Sequence, residues 1–138
     1  AGQVSNEFGS IINSFHPDEE LALATYRKAI TVLEEAIALD EFSPSAKYFL
    51  ATSLYKSSQL INCCKAGLNR AENLLLAALN LDEDYHVVRL MLVNVYMKLA
   101  RYKDVLTQLT SFLDGSPDSP EAVAVSAMKD QLEKAFQN

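Results

Sequence analysis

Residues that interrupt helices are scarce in this sequence. The 138 residues include only four Gly and four Pro, and they include no Trp. So few breakers favour long helices over the many short strands and turns of an all-β protein. Leu and Ala, both strong helix formers, are abundant. We therefore expect an all-α protein, and the length suits a single domain over 1–138.

Long hydrophobic runs are also lacking. No apolar stretch approaches the roughly 20 residues that span a bilayer, and the start does not read as a signal peptide. The chain opens with Ala1 and Gly2 rather than Met, so a targeting or anchoring segment of a longer protein could be missing. We expect a cytoplasmic protein, and the alternative is an adaptor tethered to a membrane by an anchor outside this sequence.

Cysteine and histidine are too few for a disulfide framework or a metal site. The two Cys, Cys63 and Cys64, are adjacent, and a bond between neighbours is strained. We expect two reduced thiols, as in a reducing compartment. The two His, His16 and His86, do not lie at ligand spacing from the Cys pair. The sequence therefore predicts neither a metal nor a cofactor.

Motifs that carry catalysis are absent from the sequence. It has no Gly-rich phosphate loop, no HExxH and no GxSxG turn. The paired acids Glu19-Glu20 and Glu34-Glu35 would point about 100° apart on a helix, which is typical of a solvated face. These absences predict a non-enzymatic protein without a small-molecule substrate.

Charge is acidic overall but unevenly distributed. The formal net charge is -6, which disfavours nucleic acid as a partner because phosphates would be repelled. Residues 47–103 nevertheless carry four acids and eight bases, whereas the flanking segments are acidic. This pattern has two interpretations, which are ordinary solvated surfaces or a basic central surface that attracts an acidic partner segment.

Apolar residues recur at helical spacing along the whole chain. Pro17, Ser43-Pro44 and Gly115-Ser116-Pro117 punctuate this periodicity as helix start and stop signals. Gly67 or the residues just before it are expected to break the chain between two helices. The sequence predicts seven helices, over about 3–15, 17–39, 45–63, 68–81, 86–99, 102–114 and 120–137.

Two features indicate internal repeats. Residues 36–40 (AIALD) are echoed by residues 78–82 (ALNLD), at an interval of 42 residues. The segment 86–119 is 34 residues long and resembles the tetratricopeptide repeat. The positions that carry the resemblance are Leu92, Val93, Tyr96, Ala100, Tyr102, Val105, Leu109, Phe112 and Pro117. Val93, Val105 and Phe112 are larger than the residues usual in that family, so the hairpin is expected to pack slightly wider.

This resemblance implies an architecture. It predicts a right-handed superhelical array of antiparallel helix hairpins, with repeats at about 2–43, 45–85 and 86–119. A capping helix over 120–137 would shield the last apolar face. The half from His86 onward is also similar to the mitochondrial fission adaptor family, which pairs two such repeats with extra helices.

The family resemblance also implies where a partner would bind. In tetratricopeptide arrays the first helix of each repeat lines a concave groove, and we expect a helical or extended protein segment there. Met side chains would adapt to the partner and Lys side chains would orient its acidic residues. The corresponding positions are Phe49, Leu50, Ser53, Lys56, Val87, Leu90, Met91, Asn94, Met97 and Lys98.

Several alternatives remain open at this stage. The groove could be filled by the chain's own first helix or by another copy of the chain. The protein could serve as an adaptor or chaperone-like module, or as a structural subunit or homo-oligomer. Some family members clamp an acidic C-terminus with Lys and Asn in the groove; of that set only Asn94 and Lys98 are present, so we do not expect such a clamp.

Overall fold

A computed structural model describes residues 17–61 and 65–137 of the chain. Within these ranges the protein forms six helices and no strand, which confirms the all-α prediction. The predicted helix over 3–15 and the Cys63-Cys64 pair lie outside the described residues. The helices are α1 Pro17–Leu39, α2 Pro44–Ile61, α3 Lys65–Leu81, α4 His86–Lys98, α5 Tyr102–Gly115 and α6 Ala122–Gln137.

The start of α3 excludes one of two predicted positions for a helix break. The break was expected at Gly67 or at the residues just before it, and α3 begins at Lys65 and contains Gly67 in its first turn, so Gly67 itself is not the break. A Gly costs only about 1 kcal/mol in a helix relative to Ala. The next turns bury Leu68, Ala71 and Leu75, and this packing outweighs the local preference. Gly67 is therefore part of the helix.

The sequence echo at residues 36–40 and 78–82 corresponds to two helix ends of the same geometry. The N–H of Asp40 donates to the carbonyl of Ala36, and the N–H of Asp82 donates to the carbonyl of Ala78, both at 2.9 Å. Each Asp then accepts, through Oδ1, the N–H of the residue two positions later. Asp suits this position because its short carboxylate can close such a turn. The repeated sequence thus specifies a repeated helix stop.

The core runs through the four helices from α2 to α5. Each helix contacts its neighbours in sequence, and beyond these pairs only α2 and α4 contact each other within the described residues. In α1 every described side chain keeps some exposure to solvent, and α6 buries only Ala122 and Val125. The largest fully buried side chains are Leu50, Leu75, Leu92, Leu109, Val88, Val95 and Val105.

The turn between α4 and α5 contains a residue with a left-handed backbone. Ala100 has φ of 57° and is the one non-Gly residue with positive φ in the described chain. The N–H of Arg101 donates to the carbonyl of Tyr96, and the N–H of Ala100 donates to that of Met97. These two bonds form a Schellman motif, in which Gly is the usual residue at the position of Ala100. The turn therefore has a strained Ala at its centre.

Replacing Ala100 with Gly should stabilise the protein. The left-handed conformation costs a non-Gly residue roughly 1–2 kcal/mol, which Gly would not pay. Gly also increases the conformational entropy of the unfolded chain, and this offsets part of the stabilisation. We expect Ala100→Gly to raise the free energy of unfolding by about 0.5–1 kcal/mol in urea titrations. Ala127→Gly, at an exposed position of α6, is the control and should lower it by about 1 kcal/mol. A destabilising Ala100→Gly would contradict this account.

A polar cluster joins α3, α4 and α5. Arg101 Nη1 lies 2.8 Å from Glu72 Oε1, and Arg101 Nε lies 2.8 Å from Asp104 Oδ2. The guanidinium also sits 4.7 Å above the ring of Tyr96. The Glu72 side chain is 14% exposed, so this pair is less screened than a surface ion pair. One arginine thereby fixes three helices relative to one another.

The same cluster should make the fold sensitive to alkali. Burial, reinforced by the neighbouring Glu72 carboxylate, strongly raises the pKa of Tyr96. A raised folded-state pKa contributes stability that is complete below the unfolded pKa of about 10 and is lost as pH rises above it. We expect the free energy of unfolding to fall above about pH 10, and to fall less steeply in Tyr96→Phe. An alkaline slope unchanged by Tyr96→Phe in denaturant titrations would refute the assignment.

Candidate functional site

The residues predicted to line a groove lie along one side of α2 and along one side of α4. These two helices are in contact. In α2 the positions 49, 50, 53 and 56 share a helical face. In α4 the positions 87, 90, 91, 94, 97 and 98 share a face because most of them are three or four residues apart. Six of these residues are exposed, and we call the surface they form the α2–α4 face. Its members are Phe49, Lys56, Val87, Asn94, Met97 and Lys98.

Three large apolar side chains of the α2–α4 face are open to solvent. Phe49 is 52% exposed, and Val87 and Met97 are each 40% exposed. Apolar side chains that are exposed singly are common on proteins, but several on one face are typical of an interaction surface. The face thus combines apolar side chains with two lysines.

Two predicted groove residues are not at the surface. Leu50 is 1% exposed and Ser53 is 8% exposed, so neither is available to a partner. The prediction considered only which way the residues point around the axis of α2. That helix contacts α1, α3 and α4, so less of its circumference is open than in a simple hairpin. Leu50 and Ser53 therefore contribute to the interior.

Leu90 and Met91 have an intermediate position. Both are partly buried and pack against the hydrophobic core. A substitution at either position would therefore affect folding as well as binding. The residues suited to testing the surface alone are Val87 and Met97.

Two charge substitutions in α4 should separate support from surface. Leu90→Glu places a carboxylate against the core and should destabilise the protein by about 2–4 kcal/mol. Met97→Glu lies on the exposed face and should change stability by less than about 1 kcal/mol. Both effects can be measured by thermal and urea unfolding followed by circular dichroism. Equal destabilisation by the two changes would contradict the difference in burial.

An aromatic cluster positions Phe49 on this face. The ring centroids of Tyr48 and Phe49 are 5.3 Å apart in an edge-on arrangement, and those of Tyr48 and Tyr85 are 5.5 Å apart. Such pairs stabilise by about 0.5–1.5 kcal/mol beyond the area they bury. Burial, with smaller effects from Tyr48 and Asp82, raises the pKa of Tyr85. Tyr85 precedes α4, so the cluster ties the start of α2 to the start of α4.

Tyr85 was not among the predicted site residues. Its position just before a predicted helix identified it only as part of a turn. The signal that could have found it is the presence of aromatic residues at 48, 49 and 85, because partly buried aromatic rings tend to pack in pairs.

The two lysines of the α2–α4 face are not paired with acidic side chains of the described residues. Neither Lys56 nor Lys98 forms an ion pair with another described residue, and the face contains no Asp or Glu. In contrast, Arg70 is paired with Glu34 at 2.9 Å. The face therefore carries local positive charge although the chain as a whole is acidic.

Residues 17–61 and 65–137 contain neither a candidate metal site nor a candidate membrane span. In these ranges no three His, Cys, Asp or Glu side chains are placed to hold a metal ion. Over the same residues, every helix is too short or too polar to cross a bilayer. A scan of known protein families finds no family model that matches the chain, and a search of curated proteins finds no match either.

Proposed function

We propose that this chain is a non-enzymatic protein-binding module that captures a partner segment on the α2–α4 face. The observation that carries the proposal is the group of Phe49, Val87 and Met97, each at least 40% exposed, on two helices that also expose Lys56 and Lys98. Neither lysine forms an ion pair with a described residue. An amphipathic helix or an extended segment could place apolar side chains against these three residues. Acidic residues of the segment would then approach Lys56 and Lys98.

The repeat architecture supports this proposal. The same kind of bond closes α1, α3 and α5, where the N–H groups of Asp40, Asp82 and Ser116 donate to the carbonyls of Ala36, Ala78 and Phe112. The last interval, from 82 to 116, equals the 34-residue length of a tetratricopeptide unit. Contacts between sequence neighbours, together with the α2–α4 contact, fit an array of stacked hairpins. We propose a right-handed superhelix in which α2 and α4 are the first helices of successive repeats.

Electrostatics would set the rate of capture more than its strength. Lysines at the rim of an interface steer an acidic partner, and their effect decreases as salt screens it. The apolar members would supply most of the affinity through burial, at about 25 cal/mol per Å². An adaptor role with an acidic, amphipathic partner segment therefore fits both the lysines and the apolar residues of the α2–α4 face.

A second candidate function is assembly into a homo-oligomer or a larger complex. Its support lies at the two ends of the described array, where α1 contacts only α2 and α6 contacts only α5 among the described helices. Both end helices expose apolar side chains, with Leu21 at 69% and Val123 at 81%. Stacking of copies end to end would cover these residues.

The test compares two charge variants of matched exposure. The Val87→Glu/Met97→Glu double variant changes the α2–α4 face, whereas Leu76→Glu changes α3 at a residue 41% exposed. Tagged wild type and variants are used for affinity capture from cell lysate, read by mass spectrometry. We expect a partner retained by Leu76→Glu and lost at least about 10-fold by the double variant, because each removed apolar contact is worth roughly 1 kcal/mol or more.

Unchanged circular dichroism would show that the variants remain folded. Equal recovery of all proteins by the wild type and the double variant would refute the α2–α4 face as the binding surface. Light scattering across a range of concentrations tests the second candidate, since a homo-oligomer would show a mass that rises with concentration.

A further inference from the structure

A cavity of about 340 Å³ opens where three segments of the chain meet. Its walls come from the last turns of α2, the first turns of α3 and the turn between α4 and α5. This volume is at the lower end of the range for small-ligand pockets. It could hold one amino-acid side chain or a molecule of similar size.

The charged groups that line the cavity are positive among the described residues. Lys65 and Lys98 line it, and no Asp or Glu of residues 17–61 and 65–137 does. Neither lysine forms an ion pair with another described residue. Two ammonium groups on one cavity repel each other and favour an anion between them.

Two hydroxyl groups add directional hydrogen bonds. Gln59 Nε2 donates to the Tyr55 hydroxyl at 3.0 Å, so the Tyr55 oxygen is engaged while its own proton has no acceptor among the described residues. Burial raises the pKa of Tyr55, which keeps that proton in place. Ser58 is only 7% exposed, lines the same cavity and makes no hydrogen bond with a described residue. The Ser58 hydroxyl is not among the fully buried polar atoms without a partner in the described residues, so it can donate a hydrogen bond to a ligand oxygen that enters the cavity.

The remaining wall is apolar. Leu68, 8% exposed, and Leu99, partly buried against the core, lie next to the polar groups. An inorganic anion with a full hydration shell would gain nothing from these side chains. An anion attached to a short hydrocarbon group would bury that group against them.

We propose that this cavity binds a carboxylate carried on a short apolar group. Lys65 and Lys98 would pair with the carboxylate, Tyr55 and Ser58 would donate hydrogen bonds to its oxygens, and Leu68 and Leu99 would contact the hydrocarbon. The C-terminal residue of a peptide and a free branched-chain carboxylic acid share this chemistry.

The site does not depend on the proposed partner-binding face. Of its residues only Lys98 belongs to the α2–α4 face, and Tyr55, Ser58 and Lys65 lie outside it. It also differs from the groove clamp considered from the sequence, because its second lysine is at the start of α3. Loss of partner capture in Val87→Glu/Met97→Glu and loss of carboxylate binding in Lys65→Met are therefore separate results.

Titrations of the ¹⁵N-labelled chain followed by NMR test the proposal. The probe is N-acetyl-leucine, and its matched control is N-acetyl-leucinamide, which has the same shape without the charge. We expect the acid to shift the Gln59 side-chain amide and the Leu99 and Ala100 backbone amides, and to bind at least about 10-fold more tightly than the amide. Equal binding of acid and amide, absence of these shifts up to about 10 mM acid, or tighter binding of inorganic phosphate would overturn it.

Lysine variants locate the site. Lys65→Met and Lys98→Met should each weaken binding of N-acetyl-leucine about 5- to 10-fold, because each removes one charge-assisted hydrogen bond. Lys103→Met is the control, since Lys103 is exposed, forms no ion pair with a described residue and does not line the cavity. Weakening by Lys103→Met equal to that by Lys65→Met would overturn the assignment.

Two further probes distinguish the sources of the carboxylate. The tripeptide N-acetyl-Ala-Ala-Leu, with a free C-terminus, represents a peptide end, and 4-methylpentanoate represents a free acid. Tighter binding of the tripeptide supports the proposal with a peptide C-terminus as ligand. Tighter binding of 4-methylpentanoate supports it with a free acid as ligand. Failure of both to compete with N-acetyl-leucine would overturn it.

Discussion

Close packing along a row of three fully buried residues on α3 determines where the neighbouring helices lie. Ala71, Leu75 and Ala78 follow one another at spacings of four and three and have no exposed area. The helix that carries them contacts α2 on one side and α4 on the other. Because two of the three side chains are methyl groups, the neighbouring backbones can approach closely and leave no room for slippage. The α2–α4 face and the cavity both follow from this spacing.

The distribution of charge acquires a clearer meaning once ion pairs are known. Of the bases in the middle of the chain, Arg70 and Arg101 are neutralised by carboxylates from other helices. Lys56, Lys65 and Lys98 are not paired with any described residue. Part of the positive charge that remains thus lies on the α2–α4 face and at the neighbouring cavity, and the rest lies on Lys47, Arg89 and Lys103, which also form no ion pair with a described residue. An acidic chain can in this way present a local surface that attracts acidic segments.

Much of the secondary structure was predictable because its signals are local. The periodicity of apolar residues, the prolines and the Asp40 and Asp82 stops each act within a few residues, and the described helices begin and end close to the predicted positions. Of the two positions predicted for the break before α3, Gly67 itself is excluded, since burial of the following residues overrides its weak preference.

The site was less predictable because burial depends on how many neighbours a helix has. Helical spacing placed Leu50 and Phe49 on the same side of α2, yet one is buried and the other is open. The pair formed by Glu72 and Arg101 joins residues 29 positions apart, and nothing local to either indicates the other. The cavity likewise requires three segments to converge. Such features arise from packing between residues that are distant in sequence, and no local sequence pattern indicates them.

The linear order of contacts has a consequence for dynamics. Within the described residues α1 and α6 are each held by one neighbour, whereas α3 and α4 are held on two or more sides. Stability in such a molecule is not uniform, and opening at an end costs only the contacts of the last helix. Amide hydrogens should therefore exchange in a gradient, slowest in α3 and α4 and faster toward α1 and α6. A segment bound across α2 and α4 would slow exchange most in those two helices, and the end helices would continue to open independently.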